Sequence, residues 1–310
     1  MRGEPRSRIY LVLPLTLQDC PTTRDTMTTA ATDRSPPAAH PNIAFIGGGN
    51  MARSLIGALI AHGADAGSIT VAEPRADARD DLAREFGVRT YADNADAVAG
   101  AECVLLAVKP QIMRDVCAQL AEPLREIRPL LISIAAGVRI DQLQRWLGAH
   151  LAIVRCMPNT PALIGAGASG LCVNARVGAA QRALAERIFS AAGIVRWIDD
   201  EAQMDVVTAV SGSGPAYFFL LTEAMEDAAV SLGLPRETAR ALSMQTCFGA
   251  GRMLASSNET ASQLRARVTS PHGTTEAALQ VFAQGDLHAL VLRAMKAATL
   301  RGGEMSAELD

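Results

Sequence analysis

The sequence predicts an α/β fold, a doubly wound parallel sheet followed by an all-helical half, and three observations carry that prediction. A short apolar run, Ile43, Phe45 and Ile46, ends in Gly47-Gly48-Gly49 and gives way to apolar residues at helical spacing. Further short apolar runs recur up to about residue 200 with helical segments between them, a pattern that implies right-handed crossovers and a parallel sheet. Beyond residue 200 the chain reads as long helices, two of them opening on proline.

The first unit, Asn42 to Arg53, contains a buried strand, a glycine turn and a helix start. Met51, Leu55, Ile56, Leu59 and Ile60 follow the helical period, so the glycines lie where strand becomes helix. With no Cβ at the turn, the backbone can approach a pyrophosphate, and the helix start offers free N–H groups and the positive end of its dipole. This G-x-G-x-x-A context reads as a dinucleotide site. The plainer alternative is a tight strand-to-helix turn with no ligand.

Length and composition set the frame. A chain of 310 residues is long for one core and suggests two domains, 42–200 and 201–310, after an extension over 1–41. The net charge of −3, with no basic cluster, gives no nucleic-acid footprint. Cysteines 20, 103, 117, 156, 172 and 247 form no C-x-x-C pair, which fits reduced thiols in the cytoplasm. The five histidines show no metal-ligand spacing, so no metal is expected. Residues 1–41 are rich in Thr, Pro, Arg and Ala. Their apolar run Ile9–Leu17 is broken by Pro14 and is too short to span a bilayer, and no clean cleavage pattern follows it. We expect a disordered extension there, with Met27 as an alternative start.

A second strand, within Ser68 to Arg75, ends at Glu73, where an acid would bind an adenosine ribose. Arg75 and Arg79 follow and suit a 2′-phosphate, so the acid favours NAD and the arginines NADP; solvated charge is the third reading. Apolar strands within Ala101–Gln111 and Pro129–Arg139 flank a helix around Ile112–Leu124. Their carboxyl ends bring Val108, Lys109 and Ala136 toward the cofactor. Lys109 either neutralises phosphate or merely ends a strand. The next strand, from Leu151, enters a loop stiffened by Pro158 and Pro161, which holds Asn159 and Thr160 either as a wall for the nicotinamide or as a structural turn. A strand within Ile194–Glu201 closes this half.

The helices from Pro215 and Pro235 are apolar over more than one stripe, and about a hundred residues cannot cover them all, so a homodimer through this half is expected. A membrane span is set aside because Glu223, Glu226, Asp227, Arg236, Glu237 and Arg240 are read as interrupting every long run. Ser270-Pro-His-Gly-Thr-Thr opens onto a helix from Glu276, and its amides and hydroxyls form a second anion nest suited to a carboxylate substrate. The alternative is that Thr274 or Thr275 simply caps the helix.

Seven motifs in order, FIGGGNMA, LAVKPQ, SIAAGV, RCMPNTPAL, SGSGPAYFF, GLPRETA and VTSPHGTTEAAL, give residues 42–301 a specific resemblance to the pyrroline-5-carboxylate reductases. The resemblance implies a Rossmann-like domain followed by a helical dimerisation domain, with dimers often gathered into a ring. It also implies NADPH- or NADH-dependent reduction of Δ1-pyrroline-5-carboxylate to L-proline; NADP(H) is the expected donor, with NAD(H) as the alternative. By position, Ile46, Gly47, Gly48, Gly49, Asn50 and Met51 would hold the pyrophosphate and Asn94 the adenosine ribose region, to which the residues themselves add Arg75 as a cofactor contact. Val108, Lys109 and Ala136 would flank the nicotinamide. Ser270, Gly273, Thr274 and Thr275 would hold the substrate, with the Thr275 hydroxyl on the ring nitrogen as the catalytic contact. The chain departs from the family in two places: His272 replaces a glycine, and Glu73-Pro74 replaces small hydroxyl residues that some members carry.

Two other readings remain at this stage. A β-hydroxyacid dehydrogenase or another imine reductase shares this architecture, but the hydroxyacid enzyme needs a helical lysine base and the second half has only Lys296. A non-enzymatic dinucleotide-binding protein is the other, against which the Thr274-Thr275 pair counts.

Overall fold

The computed structural model describes residues 41–148 and 150–309. The expected extension, its alternative start at Met27, and Cys20 lie outside them. Eight strands form one sheet: β1 Ile43–Ile46, β2 Ile69–Ala72, β3 Arg89–Tyr91, β4 Cys103–Leu106, β5 Leu130–Ser133, β6 Ala152–Met157, β7 Gly167–Val173 and β8 Gly193–Trp197. Their order is β3-β2-β1-β4-β5-β6-β7-β8, so the winding reverses between β1 and β4. Ligands on such sheets bind at that reversal, beyond the strand carboxyl ends.

β1 to β6 are parallel, as the crossover pattern requires, but β7 pairs antiparallel with β6 and β8 follows β7. Sequence reading expected neither β3 nor β7. β3 has no buried apolar run. β7 is built of small residues because its neighbours press on the backbone: a Cβ at Gly170 would meet Val207 Cγ1 at 2.5 Å, and one at Gly193 would meet Gly167 O at 2.0 Å.

The helices of the first half are α1 Asn50–Ala61, α2 Ala76–Phe86, α3 Asn94–Val98, α4 Met113–Ile127, α5 Ile140–Leu147 and α6 Ala179–Ser190. Alternate strand residues feed two cores. Phe45, Val71, Leu105, Ile132 and Val154 pack with Leu55 and Ile56 of α1 and Phe189 of α6. Ile46, Val104, Leu106, Leu131 and Ile153 pack with Leu120 and Leu124 of α4 and Leu143 of α5. Each such side chain contributes about 1.5–3 kcal/mol relative to exposure.

The second half comprises α7 Met204–Val207, one π turn at Thr208–Gly212, α8 Gly214–Ser231, α9 Arg236–Ser256, α10 Ala261–Arg267, α11 Thr274–Gln284 and α12 Leu287–Ala307. It is tied to the sheet by buried polar contacts. Arg155 on β6 pairs with Glu201 at 3.1 Å and Asp205 at 3.3 Å, and Gln142 Nε2 donates to Ser306 O at 2.8 Å. Elsewhere these helices are open. Phe219 on α8 is 67% exposed, Phe248 on α9 55% and Leu300 on α12 66%, which is the uncovered apolar surface the sequence predicted. Among the described residues, one stretch, Glu201–Ser231, is long and apolar enough to cross a membrane by length and composition. Residues 206–222 carry no charge, so the expectation that charges break every long run does not hold there.

Candidate active site

The glycine turn is built as a pyrophosphate cradle. Gly47 has φ +99°, its N–H donates to Ala72 O at 2.9 Å, and a Cβ there would meet Ala107 O at 2.8 Å. A Cβ at Gly48 would meet Leu82 Cδ1 at 2.6 Å, whereas Gly49 faces open space. Gly49 is the N-cap of α1 and no side chain caps that end, so the first-turn amides of Asn50 and Met51 are open to an anion. The residues fit a dinucleotide. Ile46 is wholly buried and its carbonyl accepts from Ala107 N, so its side chain supports the turn from beneath.

Around the turn, the Glu73 carboxylate accepts from Gly48 N at 3.2 Å. Arg75 is exposed and lies 3.5 Å from Glu73 and 3.7 Å from Asp77. Asn94 opens α3 and donates to Gln119 Oε1 at 2.8 Å.

The ends of β1, β4, β5 and β6 enclose a cleft of about 310 Å³ that brings together Met51, Val108, Lys109 and Ala136. Met157, Asn159, Thr160 and Gly212 complete it. The Asn159 side chain is buried and engaged at both ends: Nδ2 donates to Ser211 O and Oδ1 accepts from Ala168 N, both at 2.9 Å. It therefore anchors the π turn against β7, and only the remainder of the residue can line the cleft. Gly212 and the π turn were missed from sequence, because a π turn is set by tertiary packing and has no composition of its own. Sites of this kind are frequent next to functional clefts.

The Ser270-Thr275 loop is a tight turn in which Gly273 N donates to Ser270 O at 3.0 Å. The helix starts at Thr274 rather than Glu276, and Gly273 is its N-cap, with no side-chain cap. Neither threonine is the cap. Their amides belong to an open helix end, and among the described residues no hydrogen bond engages the hydroxyls of Ser270, Thr274 or Thr275. His272 is exposed at φ +60°, and its N–H donates to the Glu276 carboxylate at 2.7 Å. Positive φ explains why a glycine suits this position, and histidine is among the residues that tolerate it. No residue of this loop lines the cleft of its own chain.

None of the described cysteines lines the cleft. Burial pushes the Cys117 thiol up to about 12 and raises Cys103, Cys156 and Cys172 as well. No cluster of metal-binding side chains occurs among the described residues.

A family model described as pyrroline-5-carboxylate reductase dimerisation matches residues 201–305. Another, described as NADP oxidoreductase, coenzyme F420-dependent, matches residues 42–137. The pyrroline-5-carboxylate reductase of Pseudomonas aeruginosa is 53% identical over 269 residues, covering 87% of this chain and 98% of that protein. The chain belongs to the pyrroline-5-carboxylate reductase family. The solved reductase of Coxiella burnetii, 45% identical, superposes with a TM-score of 0.83 over 86% of this chain and 99% of its own. That of Plasmodium falciparum, solved with NADP bound, is 30% identical with a TM-score of 0.76 over 86% and 98%. The reductase family thus accounts for both halves, the sheet with its glycine turn and the helical domain with its exposed apolar faces.

Proposed function

We propose that the protein reduces Δ1-pyrroline-5-carboxylate to L-proline, the last step of proline biosynthesis, in the cytoplasm. The observation that carries this reading is a pair of open helix N-termini with different surroundings. One lies at the glycine turn beside a cleft, and the other carries three unengaged hydroxyls. The first suits a dinucleotide and the second a small carboxylate.

A bound nicotinamide dinucleotide, NADPH or NADH, supplies the hydride. The amides of Thr274 and Thr275 and the Ser270 hydroxyl hold the substrate carboxylate. The Thr275 hydroxyl bonds the ring nitrogen, which fixes the imine carbon toward the cleft. The imine enters already protonated by solvent, so no protein base is required. Lys296, the lysine a hydroxyacid dehydrogenase would need, is exposed on α12.

We place the boundary between the two functional halves at residue 200 and read the working unit as a homodimer, with dimers gathering into a ring. Because the Ser270-Thr275 loop does not line its own chain's cleft, and because α8, α9 and α12 leave apolar faces open, the loop of one copy meets the cleft of the other. Neither nucleic acid nor membrane has a part in this reading. Product analysis tests it: incubation with reduced cofactor and pyrroline-5-carboxylate yields L-proline. Turnover of a β-hydroxyacid without turnover of the imine would overturn it.

A further inference from the structure

Glu73 leaves β2 at its carboxyl end, one residue beyond Ala72, and its N–H still pairs with Tyr91 O at 3.0 Å. Its side chain turns back to the glycine turn. Oε2 accepts from Gly48 N and Oε1 from Arg75 N, both at 3.2 Å, and the side chain is only 12% exposed. Two backbone donors therefore hold this carboxylate still. It lies where the adenosine ribose of a dinucleotide falls when its pyrophosphate rests on α1.

The neighbouring guanidinium groups are each partly engaged. Arg79 gives one nitrogen to the carbonyls of Glu73 and Pro74, both at 2.8 Å. Arg75 is shared between the carboxylates of Glu73 and Asp77. A ribose with free hydroxyls finds an acceptor at Glu73, whereas a 2′-phosphate would bring its negative charge against a fixed, nearly buried one. Arg75 is exposed enough to swing toward such a phosphate, but doing so would leave Glu73 less neutralised beside it.

We infer that Glu73 selects against the 2′-phosphate and makes NADH the favoured donor, contrary to the NADP(H) expected from the sequence. This rests on the reading that the glycine turn holds a nicotinamide dinucleotide.

Equilibrium binding of NADH and NADPH to the purified protein, by fluorescence quenching at fixed ionic strength and without substrate, tests it. Wild type should bind NADH about tenfold tighter or better, a difference of about 1.4 kcal/mol. Glu73→Gln keeps an acceptor for Gly48 N and removes the charge, so NADPH affinity should rise about tenfold while NADH affinity changes little. Glu73→Ser should move the ratio the same way. Tighter binding of NADPH by the wild type, or a ratio that Glu73→Gln does not move in a protein of unchanged circular dichroism, would overturn the inference alone. Binding of neither nucleotide would overturn it together with the dinucleotide reading.

Discussion

Arg155→Ala removes a buried cation that joins β6 to the start of the helical half. The guanidinium bonds Glu201 Oε1 at 3.1 Å and Asp205 Oδ1 at 3.3 Å, with Arg155 itself 4% exposed. Glu201 Oε1 also accepts from Ile140 N at 2.9 Å, the start of α5, and Asp205 packs against Gly302 of α12, where a Cβ would stand 3.1 Å from its Oδ1. The substitution therefore strands two carboxylates among four elements. Breaking a buried pair from one side costs about 3–5 kcal/mol. The two acid side chains keep 27% and 26% exposure, so water recovers part of that and the lower figure, about 3 kcal/mol, is expected. At about 2–4 °C per kcal/mol for domains of 150–250 residues, melting should fall by roughly 6–12 °C. Calorimetry or circular dichroism measures this directly. A fall under about 2 °C would refute the reasoning, and so would an equal fall in Arg155→Ala and in the Arg155→Met/Glu201→Gln/Asp205→Asn triple variant, because the latter leaves no unpaired charge.

Three further outcomes follow from the site. Thr275→Ala should lower turnover by about ten- to a hundredfold while Thr275→Ser stays near wild type, since one hydrogen bond to a reacting group is worth on the order of 1–3 kcal/mol; equal rates in folded Ala and wild-type proteins would reduce Thr275 to scaffolding. His272→Gly should keep activity, and KM for the imine should follow the same pH curve as wild type from about pH 6 to 8, because the ring is exposed and the backbone N–H, present in either residue, makes the contact to Glu276; a KM rising with pH only in the wild type would make the imidazole a substrate ligand. Alkylation of the native protein at about pH 8 should leave Cys103, Cys117, Cys156 and Cys172 unmodified until it is denatured, since burial raises all four thiols; labelling of any of the four in the native state, read by mass spectrometry, would contradict their placement in the core.

The glycine turn was legible because parallel strands buried on both faces must be apolar at every position, and because φ +99° at Gly47 excludes other residues. The same logic hid β7. Its Gly167 and Gly170 are dictated by contacts with residues 193 and 207, far along the chain, and so read as loop. Asn159 stood out by its prolines, yet its partners Ala168 and Ser211 are tertiary and left the choice between wall and turn open. The start of α11 was misplaced because threonine is a favoured N-cap, whereas here Gly273 takes that role and both threonines lie inside the first turn. The open faces of α8 and α9 were readable from excess apolar surface, but no residue pattern within one chain specifies which surface covers them.

The central claim, that the cleft of one copy and the Ser270-Thr275 loop of another form one reductase site, is tested by mixing damaged chains. Gly47→Val disables the turn, since its Cβ would meet Ala107 O at 2.8 Å at a φ that valine does not adopt, and Thr275→Ala disables the loop. Hybrids carrying one chain of each kind, isolated through two different tags, are assayed for cofactor oxidation with pyrroline-5-carboxylate. A shared site gives each hybrid one intact centre and about half the wild-type rate per dimer. Activity no higher than the mean of the two parents would contradict the claim and place turn and loop of each site within a single chain.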